Sequence, residues 1–236
     1  MAVNINSVYQ KVLALSNKEQ KGYITPQEFN LLADMAQNDI YENYFHQARN
    51  SNAKIKDDDT HTDTLEMIED KLAPFVKYVG GGCNSQGIYT LPTDIYKIII
   101  AKLGLFVAEE VNQRERSYIL ALGNNLNSKL KPMMSRPIYT RTSATEITFS
   151  AGGIEPNEAV ILHYYKKPTT PSFAYVVVSD KALYDPSNSV HFELVSSEEE
   201  HLVSRILLLA GGAIKQPDLS QGAASLLQQR NQEQNS

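Results

Sequence analysis

FVKYVGGGCNSQGIYTLPTDIYKIIIAKLGLF, residues 75–106, is the stretch that decides the fold. β-branched and aromatic residues stand on both sides of a glycine cluster, Gly80 to Gly82, and DIYKIIIAKLGLFV from Asp94 alternates or stays apolar over strand length. Both features predict strands. The three glycines read as a bend or tight turn. They do not read as a phosphate loop, because no GK[ST] follows and the GxGxxG spacing with a helix behind it is not met.

Further along, VNQRERSYILALGNN predicts a helix ended by Gly123, and RPIYTRT, TEITFSAGG and EAVILHYYKKP add short β signals punctuated by Gly152, Gly153 and prolines. A small antiparallel β unit is the inference. The flanks are helical. In INSVYQKVLALSN (5–17), Val8, Val12 and Leu15 fall at helical spacing with Ser7 as the expected cap. In TPQEFNLLADMAQNDIYENYFHQAR, Thr25 caps, Pro26 opens the helix and Glu28 completes a capping box. Phe29, Leu32, Ala36, Ile40 and Tyr44 then form its apolar stripe.

NSNAKIKDDDTHTD (50–63) has almost no apolar content and reads as an exposed loop, followed by a short helix, TLEMIEDKLA, before Pro74. Ser197 is the expected cap of SEEEHLVSRILLLAGGAIKQ, with Glu198, Glu199 and Glu200 on the positive end of the helix dipole and Leu202, Ile206, Leu209 and Ala213 as its buried stripe. After Pro217 a polar helix has Leu226 and Leu227 as its only strong anchors. The fold class read from this order is α+β. N- and C-terminal helices form a bundle over residues 1–73 plus 194–236, and a small antiparallel β lobe with one internal helix is inserted over 74–193.

Composition excludes several functions. The 236 residues carry 22 Lys and Arg against 27 Asp and Glu, a formal charge of −5. That balance argues against a dedicated nucleic-acid binder. One cysteine, Cys83, rules out an internal disulfide framework and a multi-thiolate zinc site. No apolar run reaches the roughly 20 residues of a membrane span, and MAVNINSVYQK has neither the basic leader nor the apolar stretch of an export signal. The expectation is a soluble protein that is not exported by the general secretory route.

Candidate chemistry is sparse. Asp57, Asp59, His61 and Asp63 alternate in a way that suits a hard cation, but the central glycine and distal glutamate of an EF-hand loop are missing, so a solvated acidic loop is the expectation. Cys83 has no nominated base to make it a nucleophile. His46, His61, His163, His191 and His201 are scattered, with no pair at zinc spacing. Glu109 with Glu110, or Glu198 to Glu200, would supply the two carboxylates of a glycosidase only if both faced one cleft. No catalytic residue, cofactor site or metal site is assigned. The aromatic residues Tyr139, Phe149, Tyr164, Tyr165, Phe173 and Tyr175 anchor either a core or an interface. Tyr164 and Tyr165 are neighbours on an expected strand, so one of them points away from the core. The candidate interface residues are Tyr164, Tyr165, Tyr175, Leu226 and Leu227.

The order of the blocks carries a resemblance. MAVNINSVYQKVLALSNKEQKGYITPQEFNLLADMAQ, LPTDIYKI, VNQRERSYILALGNN leading to SRPIYTRT, AVILHYYKKPTTPSFAY and VHFELVSSEEEHLVSRILLLAGGAIKQPDLSQ follow one another over most of the chain. In this the chain resembles the head-to-tail adaptor, or tail tubular A, proteins of short-tailed bacteriophages and the ring proteins of crAss-like phages. The resemblance implies a structural virion protein of the neck or tail, made in the host bacterial cytoplasm. It implies a homo-oligomer, a dodecamer, bound to the portal protein and to the next tail ring, tail tube or fibre proteins, with DNA only passing through and no membrane contact. It implies no enzyme activity and transfers no functional residue. The alternatives from the residues alone are a tail-associated cell-wall hydrolase and a non-ring adaptor that binds one partner through its C-terminal helix.

Overall fold

The computed structural model describes residues 2–18, 24–54, 60–123, 131–179, 181–213, 224–225 and 228. The chain divides into two compact units, Met1–Pro74 with Pro168–Ser236, and Phe75–Lys167. The sequence reading drew the second boundary at 193/194 instead.

The first unit is mainly helical. It contains α1 (Ile5–Lys18), α2 (Pro26–Lys54), α3 (Thr60–Leu72) and α5 (Glu199–Ala213). α2 packs against α3 and α5, and α1 against α5. Ile5, Val8 and Val12, with Phe29, Ala36, Ile40 and Tyr44, and with Leu202 and Ile206, are buried to within a few per cent. Leu32 and Leu209 are only half-buried, and Ala33, Tyr41, Leu207 and Ala210 take their places in the core. The rings of Tyr9 and Phe173 meet at 4.4 Å, and those of Tyr9 and Phe29 at 4.9 Å.

The helix starts follow local chemistry. Thr25 and Glu28 form a reciprocal box: the Glu28 amide donates to Thr25 Oγ1 at 3.3 Å, and the Thr25 amide donates to Glu28 Oε2 at 2.9 Å. Asn4, not Ser7, caps α1, its Oδ1 accepting from the Asn6 amide at 2.8 Å. Ser7 lies inside the helix and donates to Glu199. Ser197 lies inside a 3₁₀ turn, Ser196–Glu198, that precedes α5.

Segment 168–193 joins this unit through two amide side chains of α2. Gln37 is fully buried; its Nε2 donates to the Thr169 carbonyl at 2.9 Å and its Oε1 accepts from the Glu193 amide at 3.1 Å. Asn30, seven residues earlier and so on the same helix face, donates to the Phe173 carbonyl and accepts from the Phe173 amide at 2.7 Å. The hairpin of β8 (Tyr175–Val178) and β9 (Lys181–Tyr184) is part of this segment.

The second unit holds β1 (Val76–Cys83), β2 (Ile88–Thr90), β3 (Ile95–Leu103), β4 (Phe106–Glu110), α4 (Gln113–Gly123), β5 (Ile138–Arg141), β6 (Glu146–Ser150) and β7 (Glu158–Lys166). The strands form one sheet in the order β1-β7-β3-β4-β5-β6-β2. All neighbours are antiparallel except β4 and β5, whose parallel link follows the crossover through α4. The sheet curls until its edges approach, with Gly81 of β1 against the ring of Tyr89 of β2. Inside are Tyr89, Leu91, Ala101, Leu103, Ile147, Phe149, Val160 and Leu162.

This overturns the expectation of a helical bundle with a small β lobe. The fold is a mixed α/β one, with a seven-stranded, nearly closed, barrel-like sheet and five α-helices among the described residues. Two physical facts explain the difference. Gly80 to Gly82 are not a bend: they lie in β1, where a β-carbon on Gly81 would stand 2.8 Å from the Tyr89 ring and one on Gly82 3.0 Å from the Asn157 backbone. The parallel β4–β5 pair also joins what local patterning shows only as separate hairpins into a single sheet.

Candidate functional site

Strand alternation separates the inside of this sheet from its outside. On β5 and β6, Tyr139, Ile147 and Phe149 face the core, so Ile138, Thr140, Thr148 and Ser150 face outward. All four are nevertheless buried. α4 packs on β5, and Arg116 Nε donates to Ser150 Oγ at 3.0 Å. A second capping box, Asn112 with Glu115, starts that helix: the Glu115 amide donates to Asn112 Oδ1 at 2.8 Å, and the Asn112 amide donates to Glu115 Oε2 at 3.1 Å.

Across β1, β7, β3 and β4 the outer face is largely exposed. Register aligns Val76, Tyr165 and Lys97 in one row, Tyr78, His163 and Ile100 in the next, and Gly80, Ile161, Lys102 and Val107 in a third. Tyr78 is 78% exposed and its ring lies 6.1 Å from that of His163. At the β3–β4 turn Leu105 is 91% exposed. Exposed apolar side chains gathered on one sheet face, Tyr78 among them, are a surface suited to interaction. In the other unit, Val176, Val177, Val178 and Leu183 of the β8–β9 hairpin are exposed as well.

The predicted contact residues distribute unevenly. Tyr164 points inward, buried, and its hydroxyl donates to Asp94 Oδ1 at 3.0 Å. Tyr165 is on the outer face, half-buried, and Tyr175 is half-buried on β8. Leu226 and Leu227 lie outside the described residues. The sequence reading misses Tyr78, Ile100 and Val107: the alignment of Tyr78 and Ile100 depends on pairing with β7, a strand far along the chain, and Val107 joins their face through Lys102 of β3.

Asp94 joins Lys77 and Tyr164 at one end of the sheet. The hydrogen bond from Lys77, 2.9 Å long, holds its carboxyl below the ordinary range, with Tyr164 adding to the effect against partial burial. Burial, then the hydrogen bond to Asp94, pushes the Tyr164 phenol up to about 12.

Of the candidates for chemistry, Glu198 and His201 meet, 2.9 Å apart. Cys83 is buried and burial raises its thiol above the ordinary value, which disfavours the thiolate. Glu109 and Glu110 are successive on a strand and point apart; Glu110 accepts from the Tyr139 hydroxyl. Glu198 is buried between Lys71, at 3.2 Å, and His201, at 2.9 Å. Glu199 is held below its usual range by Ser7 and then Lys11. His191 Nδ1 accepts from the Ile5 amide. Asp57 and Asp59 lie outside the described residues, while His61 and Asp63 fall in α3 and not in a loop. Among the described residues no three His, Cys, Asp or Glu side chains gather as metal ligands, and no helix is long and apolar enough to cross a membrane.

Charge is segregated between the units. Residues 75–167 carry 11 Lys and Arg against 7 Asp and Glu, a net +4, while the rest of the chain carries 11 against 20, a net −9. Compared with protein-family models and with curated proteins, the chain matches none.

Proposed function

We propose that the chain is a structural virion protein, a ring or adaptor subunit of a phage neck that joins the portal to the tail and encloses part of the DNA passage, and that it is not an enzyme. The observation that carries this reading is the opposite charge of its two units, +4 and −9. A basic surface on one copy meeting an acidic surface on the next is a head-to-tail contact, and such contacts close into rings when the rotation between copies permits. Complementary fields steer the encounter and fix its orientation. The exposed face bearing Tyr78, Ile100, Ile161 and Val107 belongs to the basic unit and supplies apolar area to bury. The acidic unit suits a DNA passage, because like charge keeps phosphate from adhering within a screening length of about 8–10 Å.

Mass measurement of the full chain at low and high salt, with electron microscopy after mixing with a portal protein of a short-tailed phage, tests the reading. Rings that loosen as salt rises, and density beneath the portal, are expected. A monomer at every salt concentration that binds no portal overturns it.

A further inference from the structure

The same basic unit has a cleft of about 460 Å³, within the size range of small-ligand sites. Its walls come from α4, the turn at 85–86, the segment at 131–132 and the turn at 149–154. Arg116 and Lys131 both line it, and no carboxylate among the described residues pairs with either. No acidic residue stands among the described lining residues. Two cations sharing a concave site without a counter-charge focus a positive potential there.

The cleft is also oriented. Arg116 is fixed by donating from Nε to Ser150 Oγ at 3.0 Å, which leaves its terminal nitrogens as a fork of donors suited to bidentate contact with an oxyanion. Ser85 and Gln86 add neutral donors, and Leu120 with Ile154 forms an apolar wall. Gly153 keeps one side clear: at φ 82° it disfavours a side chain, and a β-carbon there would meet nothing within 4 Å. We propose that this cleft binds a compact ligand carrying one oxyanion, a carboxylate or a phosphate monoester, on an apolar body. The guanidinium and Lys131 take the charge, and Leu120 and Ile154 take the body.

Isothermal titration of the full chain at low ionic strength, with benzoate, phenyl phosphate and neutral benzyl alcohol, tests this. Saturable binding of at least one of the two anions at one per chain, with none of the alcohol, is expected. Which anion binds distinguishes a carboxylate ligand from a phosphate one. Arg116→Gln and Lys131→Gln should each weaken that binding about ten-fold. Lys131 is exposed, so its variant leaves the fold intact even if Arg116→Gln disturbs the contact to Ser150. Binding of neither anion, equal binding of the alcohol, or unchanged affinity in both variants overturns the proposal. Mass measured in the same solutions separates it from ring assembly, since a monomeric chain that binds the anion keeps the cleft and sinks only the ring.

Discussion

Gly81 of β1 lies flat against the ring of Tyr89 of β2, so that a β-carbon at Gly81 would stand 2.8 Å from Cε2 and 3.1 Å from Oη. Tyr89 is 7% exposed and belongs to the core, so the ring is not free to swing aside. The glycine is therefore the condition for the two edges of the sheet to meet.

Gly81→Ala is expected to cost about 1–3 kcal/mol, the range for overpacking a filled site. In a Tyr89→Ala background the clash is gone, and the same substitution should become neutral or stabilising, because alanine in a strand is favoured over glycine by roughly 0.5–1 kcal/mol. A double-mutant cycle by urea unfolding, followed by near-ultraviolet circular dichroism, measures the coupling. Equal costs in both backgrounds would show that Tyr89 does not restrict this position.

The Asp94, Lys77 and Tyr164 group predicts opposite limbs in a stability profile against pH. Asp94 is lowered from 3.8 when folded, so its contribution is present above that pH and fades as pH falls through the folded value. Tyr164 is raised from 10.0 to about 12, so its contribution is complete below pH 10 and is lost as pH rises toward 12. Asp94→Asn should flatten the acid limb and bring the Tyr164 titration closer to 10. Urea midpoints across pH, with phenolate absorbance on the alkaline side, report both; an unchanged profile would show the group is not coupled in solution.

Glu198 is buried with Lys71 and His201 around it, and Lys71 Nζ also lies 5.7 Å from the centre of the Tyr44 ring. Lys71→Met removes a cation from an enclosed carboxylate and is expected to destabilise the helical unit by about 3 kcal/mol, while Lys71→Met with Glu198→Leu should recover much of that loss. Thermal unfolding at 222 nm distinguishes this from a surface pair, whose removal would cost under about 1 kcal/mol.

Gln37→Leu leaves the Thr169 carbonyl and the Glu193 amide without their partner side chain. Loss of these two hydrogen bonds is expected to cost about 0.5–1.5 kcal/mol each. Hydrogen exchange should quicken at the Glu193 amide. If its protection persisted, the clamp would be dispensable.

Tyr78→Glu places an acid on the exposed face of the basic unit. Folding should change by less than about 1 kcal/mol, as expected for an exposed strand position. Self-association should fall at least ten-fold, read by mass measurement across a concentration series; unchanged association would move the contact to another surface.

Local chemistry is what the sequence displays well. The Thr25 and Glu28 box, the stripe from Phe29 to Tyr44 and the opposite orientation of Tyr164 and Tyr165 each depend on residues within a few positions of one another. Which tyrosine turns inward depends on β7 pairing with β1 and β3, partners 87 and 66 residues away in the register of Lys77 and Ile98 with Tyr164. The same remoteness hid the exposed face, and it hid the cleft, whose Arg116, Lys131 and Gln86 come from three separate segments. Sequence places segment 168–193 with the β lobe, because the amides of Asn30 and Gln37 that tie it to α2 look like ordinary polar positions on a helix.

The strand order has a consequence for synthesis. β7 is the last strand of its sheet to be made, yet it sits between β1 and β3. Until residue 166 has left the ribosome, β1 has no ladder partner, and one side of β3 stays open while the other forms a local hairpin with β4. Unpaired, β-branched strands waiting for a late keystone are prone to mispair between nascent chains. Slowing translation before β7 should therefore lower the soluble yield, and supplying chaperones that shield nascent strands should restore it.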